Sequence, residues 1–216
     1  MLKRRRLTVD KKIEALLEIW KKRNIEGFYC GDRADGAAKI LEMIPASASV
    51  GICGSVTLDQ LGLIKLLEAR HQKIFNQYQS GLSRQESQEK RMQGVGADYY
   101  IASANAISQD GKMVFFSAYG NRTAGTAFAK NVVVVCGINK ITPTLDEALS
   151  RSREHATPLN CKRLNWPSPC LKKGVCHEEA CFFPEYKRMC CQVLIIEAEA
   201  VLGRLKAVLI GETLGY

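Results

Sequence analysis

No stretch of this chain stays apolar for long. The longest uninterrupted hydrophobic run, Val132 to Cys136, falls far short of the roughly 20 residues that a membrane-crossing helix needs. The basic start Met1-Leu-Lys-Arg-Arg-Arg has no apolar segment behind it to act as a signal peptide. No membrane span and a cytoplasmic location are therefore expected. The nine cysteines are odd in number and scattered, which makes a poor disulfide framework and suggests a reducing compartment. Histidine is scarce: His71, His155 and His177 lie near two helix ends and in a cysteine-rich region, and none completes a nucleophile, base and acid set. Internal repeats and low-complexity linkers are lacking. Aromatic residues make up only 7% of the chain and do not interleave with the basic ones near the N-terminus. The net charge of +9 therefore reads as a solvated helix face, and nucleic acid is not an expected partner.

What is present has the balance of an ordinary folded protein, with 46% hydrophobic and 25% charged residues over 216 positions, a size that one α/β domain spanning 1–216 can fill. Ile13, Leu16, Leu17 and Trp20 recur at helical spacing, predicting an amphipathic helix over 9–24 ended by Gly27. Strands are expected at 27–32, 49–55, 73–78, 97–103, 131–139, 191–198 and 205–212, and helices at 33–44, 57–70, 83–93 and 142–156. Asp110-Gly111 marks a tight hairpin turn. Alternating strands and helices predict an α/β fold with a mainly parallel sheet covered by helices and an inserted antiparallel hairpin.

Three stretches could hold a ligand. In "GICGSVTLDQLGL" a strand opens through Gly54, Ser55 and Thr57 into a helix, where backbone N–H groups and two hydroxyls could meet an anion; helix capping by Ser55 or Thr57 is the alternative. In the segment from 96 to 125, Asn105, Asn121 and Arg122 can hold a carboxylate or phosphate, Asp110 reads as a turn residue, and Ser103 and Ser108 read as satisfying loop backbone. Asn139 and Lys140 follow a buried strand, where open α/β sheets gather ligands. Lys162 and Arg163 read as ligand contacts or as solvated loop charges.

A cysteine-rich segment, 161–191, ends the inventory. Cys170, Cys176, Cys181 and Cys190, with Cys191 as a substitute and His177 among them, could hold zinc or an iron–sulfur cluster. The spacing matches neither paired C-x2-C knuckles nor a common ferredoxin run, and ordinary reduced thiols are the alternative. Cys30, Cys53 and Cys136 read as small core residues.

Taken together, "VGICGSVTLDQLGL", "GADYYIASANAISQDGKMV", "GNRTAG", "VVVVCGINKI", "EALSRSREHATPLNCKRL", "PC…GVC" and "VLIGETLGY" resemble the LUD-domain family of lactate-utilisation proteins, formerly a domain of unknown function (DUF162). The resemblance implies the fold of ribose-phosphate isomerase, glucosamine-phosphate deaminase and CoA transferases (NagB/RpiA-like), with Gly54, Ser55 and Thr57 on the anion loop and Asn121, Arg122, Asn139 and Lys140 on the adjoining wall. It also implies an accessory or ligand-binding role in converting lactate to pyruvate beside an iron–sulfur oxidoreductase partner. The rival is a stand-alone enzyme or sensor for a phosphorylated or CoA-linked metabolite; either way the ligand is a small anionic metabolite. Two departures stand out. Ser117 and Ala118 occupy the places where the family usually has Asp-Gly, and Cys176, Cys181 and Cys190 are more widely spaced than in related chains.

Overall fold

Apolar side chains at helical intervals set the first element of the computed structural model, which describes residues 2–176, 179 and 181–216. Helix α1 (Leu2–Lys22) turns Ile13, Leu16 and Trp20 inward and leaves Lys11, Lys12, Lys21 and Lys22 exposed, so these four lysines lie on a solvated face. The helix stops ahead of Asn24, whose φ of 61° is one that Asn tolerates better than most residues. Gly27 therefore already lies in β1 (Glu26–Cys30). The indole Nε1 of Trp20 donates to the Gly111 carbonyl at 2.9 Å, tying α1 to the hairpin turn.

The chain continues through α2 (Arg33–Met43), β2 (Val50–Ile52), α3 (Val56–Gln60), α4 (Leu63–Ala69), β3 (Ile74–Phe75), α5 (Arg84–Val95) and β4 (Tyr99–Ala102). The hairpin strands β5 (Ala106–Ser108) and β6 (Met113–Ser117) follow, then α6 (Asn121–Phe128), β7 (Val132–Gly137), β8 (Ile141–Thr142), α7 (Leu145–Ser150), α8 (Thr157–Arg163), α9 (Pro169–Lys173), β9 (Gln192–Ile196) and β10 (Leu205–Ile210). Several helices begin on side-chain caps: Asp32 accepts from the N–H groups of Ala34 and Asp35, Ser83 forms a reciprocal capping box with Glu86, and Thr144 accepts from Glu147.

Six strands form a parallel sheet in the order β1-β10-β7-β4-β2-β3. Strand alternation sends Val132, Val134 and Cys136 into one core and Val133 and Val135 into another. The first core joins the sheet to α1 and to Ile107, Met113 and Phe115 of the hairpin; the second joins it to Ile40 of α2 and to Leu58, Leu63 and Leu67 of α3 and α4. The hairpin is part of a second, mixed sheet, β8-β5-β6-β9, in which β9 runs antiparallel to β6 and β8 parallel to β5. The expected α/β architecture is thus present, with this second sheet added to it.

Local differences have local causes. The helix expected over 57–70 is two, because Gly62 takes φ 62° between them. The segment after Gly120 forms helix α6, which the sequence reading did not include. The helix begun at Thr144 passes through a π-helical turn at 151–156 and continues as α8. No helix among the described residues is long and apolar enough to cross a membrane.

One close approach invites a test. A Cβ built on Gly51 would sit 1.9 Å from the Gly94 carbonyl oxygen, so glycine lets α5 lie directly on β2. Gly51→Ala should lower stability by about 3 kcal/mol, the upper part of the usual overpacking range, measured as the shift in urea midpoint. An unchanged midpoint would mean that α5 can back away.

Candidate functional site

The carboxyl ends of the central strands converge on one cavity of about 100 Å³, the position where open parallel sheets place ligands. β2 delivers Cys53 to Thr57, β4 delivers Ser103 to Asn105, β7 delivers Lys140, and the chain beyond β10 brings Gly215 and Tyr216 to the wall.

Lys140 is the most consequential side chain there. It is only 4% exposed, and its ammonium donates to Thr57 Oγ1 (3.0 Å), Ser103 Oγ (2.9 Å) and the Ala104 carbonyl (3.1 Å). All three of its protons are thereby used. Burial pulls its pKa down to about 8, and the nearby Arg122 and Arg151 push the same way against the thiol of Cys136. Since the ammonium fills an acceptor position on both hydroxyls, their own protons are free to serve other acceptors, such as the Leu214 carbonyl, 3.4 Å from Thr57 Oγ1.

Arg122 lies behind the loop. Its Nη1 donates to Asn105 Oδ1 (3.2 Å) and the Phe116 carbonyl (3.0 Å), and its Nη2 donates to the Gly54 carbonyl at 2.5 Å. Burial opposes its charge, but Cys53, Tyr78 and Tyr100 outweigh this and hold the guanidinium above its ordinary pKa. Neither Arg122 nor Lys140 has a carboxylate partner among the described residues. Arg163 is a third lining cation, and no aspartate or glutamate side chain among the described residues lines the cavity. Asp59, the acid whose charge Arg163 feels, is not a lining residue.

Of the residues singled out in the sequence, Gly54, Ser55, Thr57, Asn105, Asn121, Arg122 and Lys140 all line this cavity. They do different work. Ser55 caps α3 by accepting from Leu58 N–H at 3.4 Å. Asn105 braces Phe116 N–H and Arg122. The Asn121 carbonyl accepts from Tyr100 Oη at 2.9 Å. Asn139 is not on the cavity wall: its side chain accepts from Leu214 N–H (3.0 Å) and donates to the Gly215 carbonyl (3.4 Å), holding the segment whose Gly215 and Tyr216 line the cavity. With only five residues, α3 brings a short helix dipole, so N–H groups and hydroxyls would meet an anion more than a macrodipole would. Ser117 and Ala118 line the cavity where a carboxylate was missing from the family pattern, and Ser117 Oγ accepts from Gly120 N–H at 3.0 Å. Ser108 and Asp110 pair in the hairpin turn with Lys112, as a turn requires. Ser103, by contrast, is a cavity residue and not a loop brace.

Sequence reasoning missed the aromatic rim. Tyr78, Tyr119, Trp166 and Tyr216 come from four separate segments. Tyr119 and Trp166 meet edge to face at 5.8 Å, and the Arg91 guanidinium lies 4.6 Å from the Tyr119 ring centre.

The cysteines gather in a second, smaller cavity of about 10 Å³ lined by Cys161, Cys170, Cys176, Cys181 and Cys190. No disulfide links them among the described residues. Cys161, in α8, was not foreseen; burial pushes its pKa up to about 11. Cys191 lies elsewhere, with its thiol toward the Arg188 carbonyl at 3.1 Å. His177 lies outside the described residues. Thr157 and Met189 line both cavities, so the two share a wall.

A parallel-sheet α/β protein with a cationic pocket at the strand ends is the class these features define. The model of the LUD domain matches residues 13–210, and the chain belongs to the LUD-domain family. The crystal structure of a DUF162 family protein from Deinococcus radiodurans is similar over 95% of this chain and 98% of that one, at a TM-score of 0.51 and 11% identity, a likeness of fold. Ribose 5-phosphate isomerase A from Neisseria gonorrhoeae is similar over 52% of this chain and 54% of its own, at a TM-score of 0.35 and 16% identity. No curated protein matches the chain.

Proposed function

We propose that this chain binds a small carboxylate at the strand-end cavity and serves lactate utilisation as a ligand-binding component, with an iron–sulfur oxidoreductase partner taking the two electrons released when lactate becomes pyruvate. One observation carries the reading: two cations, the buried Lys140 and the half-buried Arg122, lie in a cavity that no aspartate or glutamate side chain among the described residues lines. An unbalanced charge in a poorly hydrated site is costly, and an anionic ligand offsets it. The cavity volume, about 100 Å³, suits an acid of a few carbon atoms. The aromatic rim favours a second reading, in which a phosphorylated or CoA-linked metabolite rests a planar group against Tyr119 and Trp166.

Calorimetric titration with pyruvate, lactate and inorganic phosphate, at low and high salt, tests both readings. Pyruvate or lactate should bind, more weakly as salt rises, and the purified chain alone should not oxidise lactate. Absence of heat and of thermal stabilisation with all three anions would overturn the reading. Turnover without a partner would favour a stand-alone enzyme.

A further inference from the structure

We propose that Cys170, Cys176, Cys181 and Cys190 bind a single zinc-class ion as thiolates, in a site separate from the strand-end cavity but sharing its wall. The four come from one helix and an irregular segment, yet all line one cavity, with Cys161 beneath them. That volume, about 10 Å³, is about that of one water-sized sphere and suits one tetrahedral ion better than a multi-iron cluster.

The surrounding segment supplies a second, independent reason. Between α9 and β9 the described residues form neither an α-helix nor a strand, and none of those from 171 to 191 is buried. Phe182 and Phe183 are 66% and 86% exposed. A stretch that buries so little apolar surface cannot offset its own ordering entropy, whereas thiolate–zinc bonds can supply that folding energy. The sulfurs do not yet form a ready ligand set among the described residues, so binding would draw the segment in around the ion. Cys161 is fully buried in the regular helix α8, unlike the three half-buried thiols that follow α9, and it remains a wall residue. Arg188 also lines the cavity and would balance part of the negative charge of four thiolates around one divalent ion.

The test uses the full chain, reduced and stripped with a chelator, then titrated with zinc and separately with cobalt. Native mass spectrometry should show one zinc per chain, and cobalt should give the intense visible bands of tetrahedral thiolate coordination. Zinc should also slow tryptic cleavage after Lys187. Cys176→Ser and Cys181→Ser should each weaken zinc binding by more than the roughly 10–100-fold lost with an outer-shell partner, while Cys191→Ser, outside the cavity, should bind zinc like the parent chain. Cys176 and Cys181 are only half-buried, so far-ultraviolet dichroism of their metal-free variants will separate lost ligation from lost folding. Failure to bind zinc, cobalt bands without sulfur character, or iron retained with inorganic sulfide after anaerobic purification would each overturn the single-ion site.

Discussion

Arg122→Met should lower the stability of the chain by about 2–5 kcal/mol, read as a shift of the denaturant midpoint at unchanged slope. The guanidinium reaches three acceptors on three segments: the Gly54 carbonyl after β2, the Phe116 carbonyl in β6 and the side chain of Asn105 after β4. Removing it strands acceptors away from water, at about 1–3 kcal/mol for each buried group left unsatisfied. Arg122→Lys should rescue little, because an ammonium on a flexible stem lacks the planar fork that spans separated acceptors. The sequence expectation of Arg122 as a ligand contact thus becomes a different experiment: the variant tests whether the pocket holds its shape before it tests affinity. A variant as stable as the parent would show that the loop does not depend on this clamp.

Lys140→Met should fold and lose about 10- to 100-fold in affinity for the anion, the range for a charged hydrogen-bonding group worth about 1.5–3 kcal/mol. It should also remove a pH dependence. The native pKa of about 8 lies below the ordinary 10.5, so between these values the folded chain has released the proton while the unfolded chain still holds it. The unfolded state binds more protons there, and stability must rise with pH across that window, by up to about 3 kcal/mol, and stay flat from this source below it. Ligand affinity runs the other way: it is fully present below about pH 8 and falls as the ammonium that an anion needs is lost. Parent and variant titrated side by side isolate Lys140 from the thiols and tyrosines. Parallel stability curves from pH 7 to 10.5 would contradict this assignment.

Much of the fold was legible because periodicity is a local signal. Ile13, Leu16 and Trp20 declare one helix face, and Val132 to Cys136 declares a strand covered on both sides. Gly54, Ser55, Thr57 and Lys140 were readable as site candidates for a related reason: each directly follows a strand, and parallel strands bring such ends together. What stayed hidden depends on contacts distant in sequence. Nothing near Gln192–Ile196 says that it pairs with β6 and not with the parallel sheet. Ser103 looks like any loop serine until Lys140, 37 positions later, donates to it. Tyr78, Tyr119, Trp166 and Tyr216 form a rim only once four segments are folded. Cys161 opens the cysteine-rich segment in the sequence, but that it faces the same cavity as Cys170, Cys176, Cys181 and Cys190 is known only once α8 is folded against them.

The π-helical turn at 151–156 sets the phase of everything after it. There the Thr157 N–H donates back five residues to the Ser152 carbonyl instead of four, which accommodates one more residue than an α-helix would. Helical positions advance by about 100° per residue. A chain lacking one residue between Arg151 and Ala156 would therefore keep the same helix in the same place but present a different side of it. Thr157 and Asn160 would turn from the strand-end cavity and Cys161 from the thiols, two sites altered by one deletion that touches neither. In evolutionary terms this turn behaves as a register key: relatives that share every motif but differ in length here should not be assumed to share either site.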